Sequence, residues 1–223
     1  MSGEGKSFVA INLAITLALS GKKVVLMELD LRKPKISKHL GLDSRYGFSN
    51  FIIKQAEYNQ ILLPSGIEDS MYVIPSGPIP PNPAELLMMP RVEQLFMQLK
   101  QDFDYIIIDS APVGLVTDAQ LLAKYADTSL YVIRQGYTLK PQLQIPENIA
   151  AEEKMQHLHL VVNDVKLNYG YGYGYGYGYG YGYGYGGYGN TNGKESRLKR
   201  FLKNLFRSEE HTSELQSLAY IVC

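Results

Sequence analysis

From residue 5 to about residue 165, helical patterns alternate with short apolar runs rich in β-branched residues. That alternation admits few folds, and it predicts an α/β, three-layer architecture: a mostly parallel sheet with helices on both faces. Strands are expected at 23–27, 71–75, 105–108, 129–134 and 159–162, each nearly continuous in apolar character, as in strands buried on both faces. Helices are expected at 6–20, 84–100, 118–125 and 142–153, the first apolar almost all round and therefore buried. A chain of 223 residues that is 45% hydrophobic buries one sizeable core. The 22 basic and 22 acidic residues cancel, so no bulk charge points to nucleic acid as a partner. A lone cysteine, Cys223, excludes an intrachain disulfide and suits a reducing compartment. The most apolar stretch, 8–19, falls short of the roughly 20 residues of a membrane span and contains Asn12, so no span or signal peptide is expected.

Beyond residue 165 the composition changes abruptly. Tyrosine alternates with glycine from 169 to 189, broken once at Gly186 and Gly187. Glycine at every second position raises the entropy cost of ordering, so an extended, disordered low-complexity tail is predicted over 166–193. Residues 194–207 form a basic amphipathic helix candidate, with Leu198, Phe201, Leu202, Leu205 and Phe206 at helical spacing; it suits an anionic lipid surface and the domain's own core equally. Residues 208–223 read like a translated sequencing adapter and carry no functional argument.

Gly3, Glu4, Gly5, Lys6 and Ser7 match the second half of a Walker A phosphate loop. In such loops glycines let backbone N–H groups approach phosphates, the lysine reaches the β and γ phosphates, and the serine ligates magnesium; the helix that follows aims its N-terminus at the same anion. The motif's first glycine would lie one residue before Met1, so a preceding strand and the loop's start are expected to be missing. Asn163, just after the last strand, sits where related nucleotide-binding folds read adenine. His157 and His159 are expected to be structural or exposed rather than metal ligands.

Two apolar strands end in acids. Residues 24–27 run into Glu28 and Asp30, predicted to share one face at the strand's carboxyl end, and 105–108 deliver Asp109, which fits the Walker B role of holding magnesium or its water. Carboxyl ends are where open α/β sheets bind ligands. Jointly these acids and the lysine loop predict an ATP and Mg2+ site, with Ser7, Glu28, Asp30 and Asp109 as metal ligands and Gly3, Glu4, Gly5, Lys6, Ser7 and Asn163 around the nucleotide.

The loop fragment, the acid pair followed by Arg32 and Pro34, the segment 76–86 (SGPIPPNPAEL) and the tyrosine-rich tail together resemble the bacterial tyrosine kinases of capsule and exopolysaccharide export, over about residues 1 to 207. The resemblance implies an ATP-dependent protein tyrosine kinase domain over 1–165, with Lys6, Asp30, Arg32 and Asp109 catalytic: Asp30 activates the tyrosine hydroxyl or orders the magnesium shell, while Lys6 and Arg32 neutralise developing phosphate charge. Glu28 departs from the family's aspartate. Self-association into a ring, a membrane activator segment in cis or trans, a cognate tyrosine phosphatase and a place on the cytoplasmic face of the inner membrane are also implied.

The tail then reads as substrate, with Tyr169, Tyr171, Tyr173, Tyr175, Tyr177, Tyr179, Tyr181, Tyr183, Tyr185 and Tyr188 as phosphoacceptors, since flanking glycines let an extended chain enter a neighbouring active site. Two alternatives stand beside this reading. Partition and cell-division ATPases share the fold, but their loop carries an extra lysine at the place of Met1 and they have no use for a tyrosine tail; an inactive phosphoacceptor or scaffold fragment is the other.

Overall fold

The computed structural model describes residues 3–113, 117–155 and 157–166, and the backbone of 217–222. The tyrosine tract and the basic helix candidate lie outside the described residues.

Strand β1 (Val24–Leu29) is buried along its whole length. It pairs in parallel with β3 (Met71–Ile74) on one side and β4 (Tyr105–Ser110) on the other. The parallel pair β5 (Thr128–Arg134) and β6 (Leu158–Asn163) completes the predicted set. Alternation along β1 and β4 sorts their side chains between two cores, as a period of two requires. Val24, Leu26 and Ile107 meet the buried stripe Ala10, Ile11, Ala14, Ile15 and Ala18 of helix α1 (Lys6–Leu19). Val25, Met27, Leu29, Ile106 and Ile108 face the opposite layer, which includes α3 (Phe48–Ile52), α5 (Pro83–Leu87), α6 (Pro90–Asp102), α7 (Asp118–Ala123) and α8 (Gln144–Ala151). The result is the expected three-layer α/β sheet.

Four features depart from expectation. The single helix expected at 84–100 is two helices, because Pro90 has no N–H to donate and its ring pushes Met89 to an extended conformation (φ −66°, ψ 140°). β6 is not buried on both faces: among the described residues β5 is its only strand neighbour, and Leu160 and Val162 are more than half exposed. Short elements that the sequence pattern did not announce appear between β1 and β3: α2 (Ile36–Leu40), α3, α4 (Tyr58–Ile61) and β2 (Leu63–Pro64), which pairs antiparallel with β3.

The fourth is strand β7 (Ser217–Val222), from the stretch that carried no functional argument. It lies between β4 and β5, antiparallel to both, in the order β2-β3-β1-β4-β7-β5-β6. Two buried strands that lacked a partner there would leave a row of desolvated N–H and C=O groups, and a β-branched, aromatic run such as LAYIV satisfies both ladders.

The segment 76–86 has a clear packing role. The N–H groups of Phe48 and Ser49 donate to the carbonyls of Pro75 and Ser76 (2.8 and 3.0 Å), and Ser49 Oγ donates to Pro78 O (2.9 Å). This close approach requires Gly47, where a Cβ would sit 2.3 Å from Gly77 N and 2.4 Å from Pro75 O.

Candidate active site

Loop 3–5 closes over the carboxyl ends of β5 and β6 before α1 begins. Gly3 and Gly5 hold positive φ (116° and 89°), which only glycine adopts without strain. A Cβ at Gly5 would stand 2.2 Å from Asn163 Nδ2. Asn163 donates from that nitrogen to Glu4 O (2.9 Å), and Arg134 donates to Gly3 O (3.0 Å), so residues paired in register at the ends of β5 and β6 brace the loop's carbonyls. Two of the loop's carbonyls are thereby occupied by side-chain donors, and the loop leads directly into the N-terminus of α1, the end of a helix that favours an anion.

Lys6, the first residue of α1, is almost wholly buried among oxygens. Its ammonium donates to Ser110 O, lies 3.0 Å from Asp109 Oδ1 and 3.7 Å from Asp30 Oδ2. Ser7 Oγ donates to Asp109 Oδ2 (2.8 Å). Asp30 turns its other oxygen back on its own loop, accepting from the N–H groups of Arg32 and Lys33 (3.3 and 3.0 Å). Lys6, Ser7, Asp30 and Asp109 therefore converge on one point at the edge of the sheet.

Asp109 is the electrostatic centre of this group. Burial pushes its carboxyl above the ordinary aspartate range, against the opposing pull of Lys6 and the Ser7 hydroxyl. Its Oδ1 is buried and faces the Lys6 ammonium at 3.0 Å, with no other partner among the described residues. A buried carboxylate oxygen left in that condition, beside a serine hydroxyl, fits the donor set of a hard divalent cation.

Glu28 does not join the cluster. It pairs in register with Asp109, yet its carboxylate is spent on the chain's own donors: Ile36 N (2.5 Å) and Ser37 N (3.3 Å) at Oε1, Ser37 Oγ (2.7 Å) and Ser76 N (3.3 Å) at Oε2. The longer side chain carries the carboxylate past the cluster to the start of α2, against the magnesium role expected for it. Arg32 is likewise committed elsewhere, to Asp118, by Nε to Oδ2 (2.9 Å) and Nη2 to Oδ1 (3.2 Å). Asn163 braces the loop in this structure, where an adenine contact was expected. Among the described residues no group of three or more His, Cys, Asp and Glu side chains gathers as a metal site.

Comparison with known proteins is decisive here. A family model described as "AAA domain" matches residues 2–162. The tyrosine-protein kinase YwqD of Bacillus subtilis is 39% identical over 74% of this chain and 70% of its own length. The chain belongs to the bacterial tyrosine-protein kinases. The solved kinase domain of the Escherichia coli tyrosine kinase ETK superposes on this kinase with a TM-score of 0.71 at 29% identity, over 80% of this chain and 70% of that one. The septum site-determining protein MinD of Pyrococcus horikoshii, complexed with Mg-ADP, has a TM-score of 0.58 at 19% identity, over 73% of this chain and 66% of that one, a likeness of fold alone.

Residue-level reading missed Asp118 and Arg134. Asp118 looked like an ordinary acid in the first turn of a helix, and its burial comes from tertiary packing that no spacing announces. Arg134 ends β5 in a basic, exposed-looking position; only the fold brings it to Gly3.

Proposed function

We propose that this kinase transfers the γ-phosphoryl group of ATP to tyrosines of the tract between Tyr169 and Tyr188, on its own chain or a neighbouring copy. The convergence of Lys6, Ser7, Asp30 and Asp109 carries the reading. The nucleotide's phosphates lie on the N–H groups of loop 3–5 and the first turn of α1, with Lys6 reaching the β and γ phosphates. Ser7 and Asp109 would hold Mg2+, which neutralises charge on the β and γ oxygens when bound. The tyrosine oxygen forms a bond to the γ phosphorus while the bond to the β,γ-bridging oxygen breaks and ADP leaves. The tyrosine's proton passes to Asp30, whose side chain remains at the solvent edge of the cluster.

The resemblance to capsule and exopolysaccharide kinases supports regulation of polysaccharide export, a ring of kinase domains, a membrane activator segment, a cognate phosphatase and a position at the inner membrane's cytoplasmic face. Among the described residues no helix is long and apolar enough to cross a membrane, so such an activator is supplied from outside them.

Incubating the purified chain with labelled ATP and Mg2+, beside Lys6→Met, tests the reading. Tyrosine label in the parent falls at least about a hundredfold in the variant, as expected for losing a group aimed at developing charge. ATP hydrolysis without tyrosine label would instead support a switch ATPase, and neither activity a scaffold.

A further inference from the structure

The connection that leaves β1 carries one of the cluster's carboxylates, Asp30. Residues 28–37 leave β1, pass Asp30 and Arg32, and return to start α2. Glu28 fastens both ends of this excursion through the N–H groups of Ile36 and Ser37. Its tip carries Asp30, beside Lys6, and Arg32, whose guanidinium reaches across to α7.

The partner there is Asp118, fully buried in the first turn of α7 and met by two nearly parallel N–H···O bonds. Arg32 itself is 43% exposed along its side chain. A side-on pair through Nε and Nη2 leaves the opposite, Nη1 edge of the guanidinium unengaged by Asp118. Such forks fix the plane of the guanidinium as well as its distance. A buried carboxylate gains the protein little stability that apolar packing would not supply, so its orienting effect is the property that sets it apart.

We propose that Asp118 is a positioning residue for phosphoryl transfer: it holds Arg32 in one plane and ties the Asp30 loop to the helix that follows Asp109. This rests on the kinase reading for its substrate. It adds a fixed orientation to the charge-neutralising role that the resemblance implies for Arg32, and it brings in a residue outside both Walker motifs.

A double-mutant cycle tests it, with the parent, Asp118→Asn, Arg32→Gln and the double variant, each checked by thermal melting. Asparagine keeps the shape of the buried side chain, and the double variant removes the buried charge that Arg32→Gln leaves alone. Turnover is read as ADP release with a glycine-tyrosine peptide, and nucleotide affinity with a fluorescent ATP analogue. Asp118→Asn lowers kcat about ten- to hundredfold, the scale of a small misplacement at the reacting centre, and leaves analogue affinity within about threefold. The same substitution costs nothing further in the Arg32→Gln background. Equal losses in both backgrounds, or a loss in melting temperature with kcat untouched, overturn the proposal. If the parent consumes ATP without labelling tyrosine, the kinase reading fails while the cycle still reads on ADP release. If it consumes none, the melting temperatures decide: additive losses from the two substitutions overturn the pairing, and a double variant no less stable than Arg32→Gln sustains it.

Discussion

Glu28 and Asp109 face each other across neighbouring strands, and their different fates show how one methylene redirects a charge. Burial raises the pKa of both above the ordinary carboxylate range. The sign of the consequence follows directly. A carboxyl that holds its proton more tightly when folded makes the native state the stronger proton binder, so stability falls as pH rises from about 4.5 through the raised native value, then levels off. Glu28→Gln removes one of the two groups, so its stability-pH curve, from denaturant titrations across that window, is flatter than the parent's. Glu28→Ala removes the acceptor for Ile36, Ser37 and Ser76 and costs about 2 to 4 kcal/mol at neutral pH in the same measurement. Lys6, Ser7 and Asp109 were legible because Walker motifs are local words. Glu28's turn toward α2 was not, because that helix is five residues long and leaves no periodic trace.

Elements read well where they are long. The five principal strands and α1 lie within a residue or two of expectation, because apolar runs and one helical stripe persist over several turns. The split at Pro90 was legible and passed over, since a proline inside an apolar period is itself a stop signal. The contact between Gly47 and Gly77 was not legible, because it joins loops 30 residues apart through the absence of a side chain. Gly47→Ala drives a methyl into backbone atoms that cannot yield, and lowers the unfolding free energy by about 2 to 4 kcal/mol by calorimetry, while Gly21→Ala meets no neighbouring atom and pays only for its left-handed backbone, about 1 kcal/mol. β7 belongs to this scale too: ending the chain before Ser217 uncovers the facing ladders of β4 and β5, and light scattering records aggregation that the full chain does not show.

At the scale of the whole molecule the deciding quantity is charge. The formal net charge is zero at pH 7, so copies of the unmodified chain bring no net repulsion to an assembly. Ten phosphotyrosines between Tyr169 and Tyr188 add roughly 15 to 20 negative charges, at about 1.5 to 2 each. In the proposed ring, repulsion between phosphorylated copies is screened over a Debye length of about 8 Å at physiological salt and about 3 Å at 1 M salt, so added salt weakens it. Assembly and phosphorylation are then opposed, and the opposition is electrostatic. Light scattering on the chain before and after ATP and Mg2+ treatment gives a larger particle before, a smaller one after at low salt, and partial reassembly of the phosphorylated chain at 1 M salt. A chain with all ten tyrosines changed to phenylalanine holds its larger mass throughout. Equal masses before and after complete phosphorylation would leave the tail as a substrate with no hold on assembly, whereas dissociation that salt fails to reverse would place the switch in a conformational change instead of in repulsion.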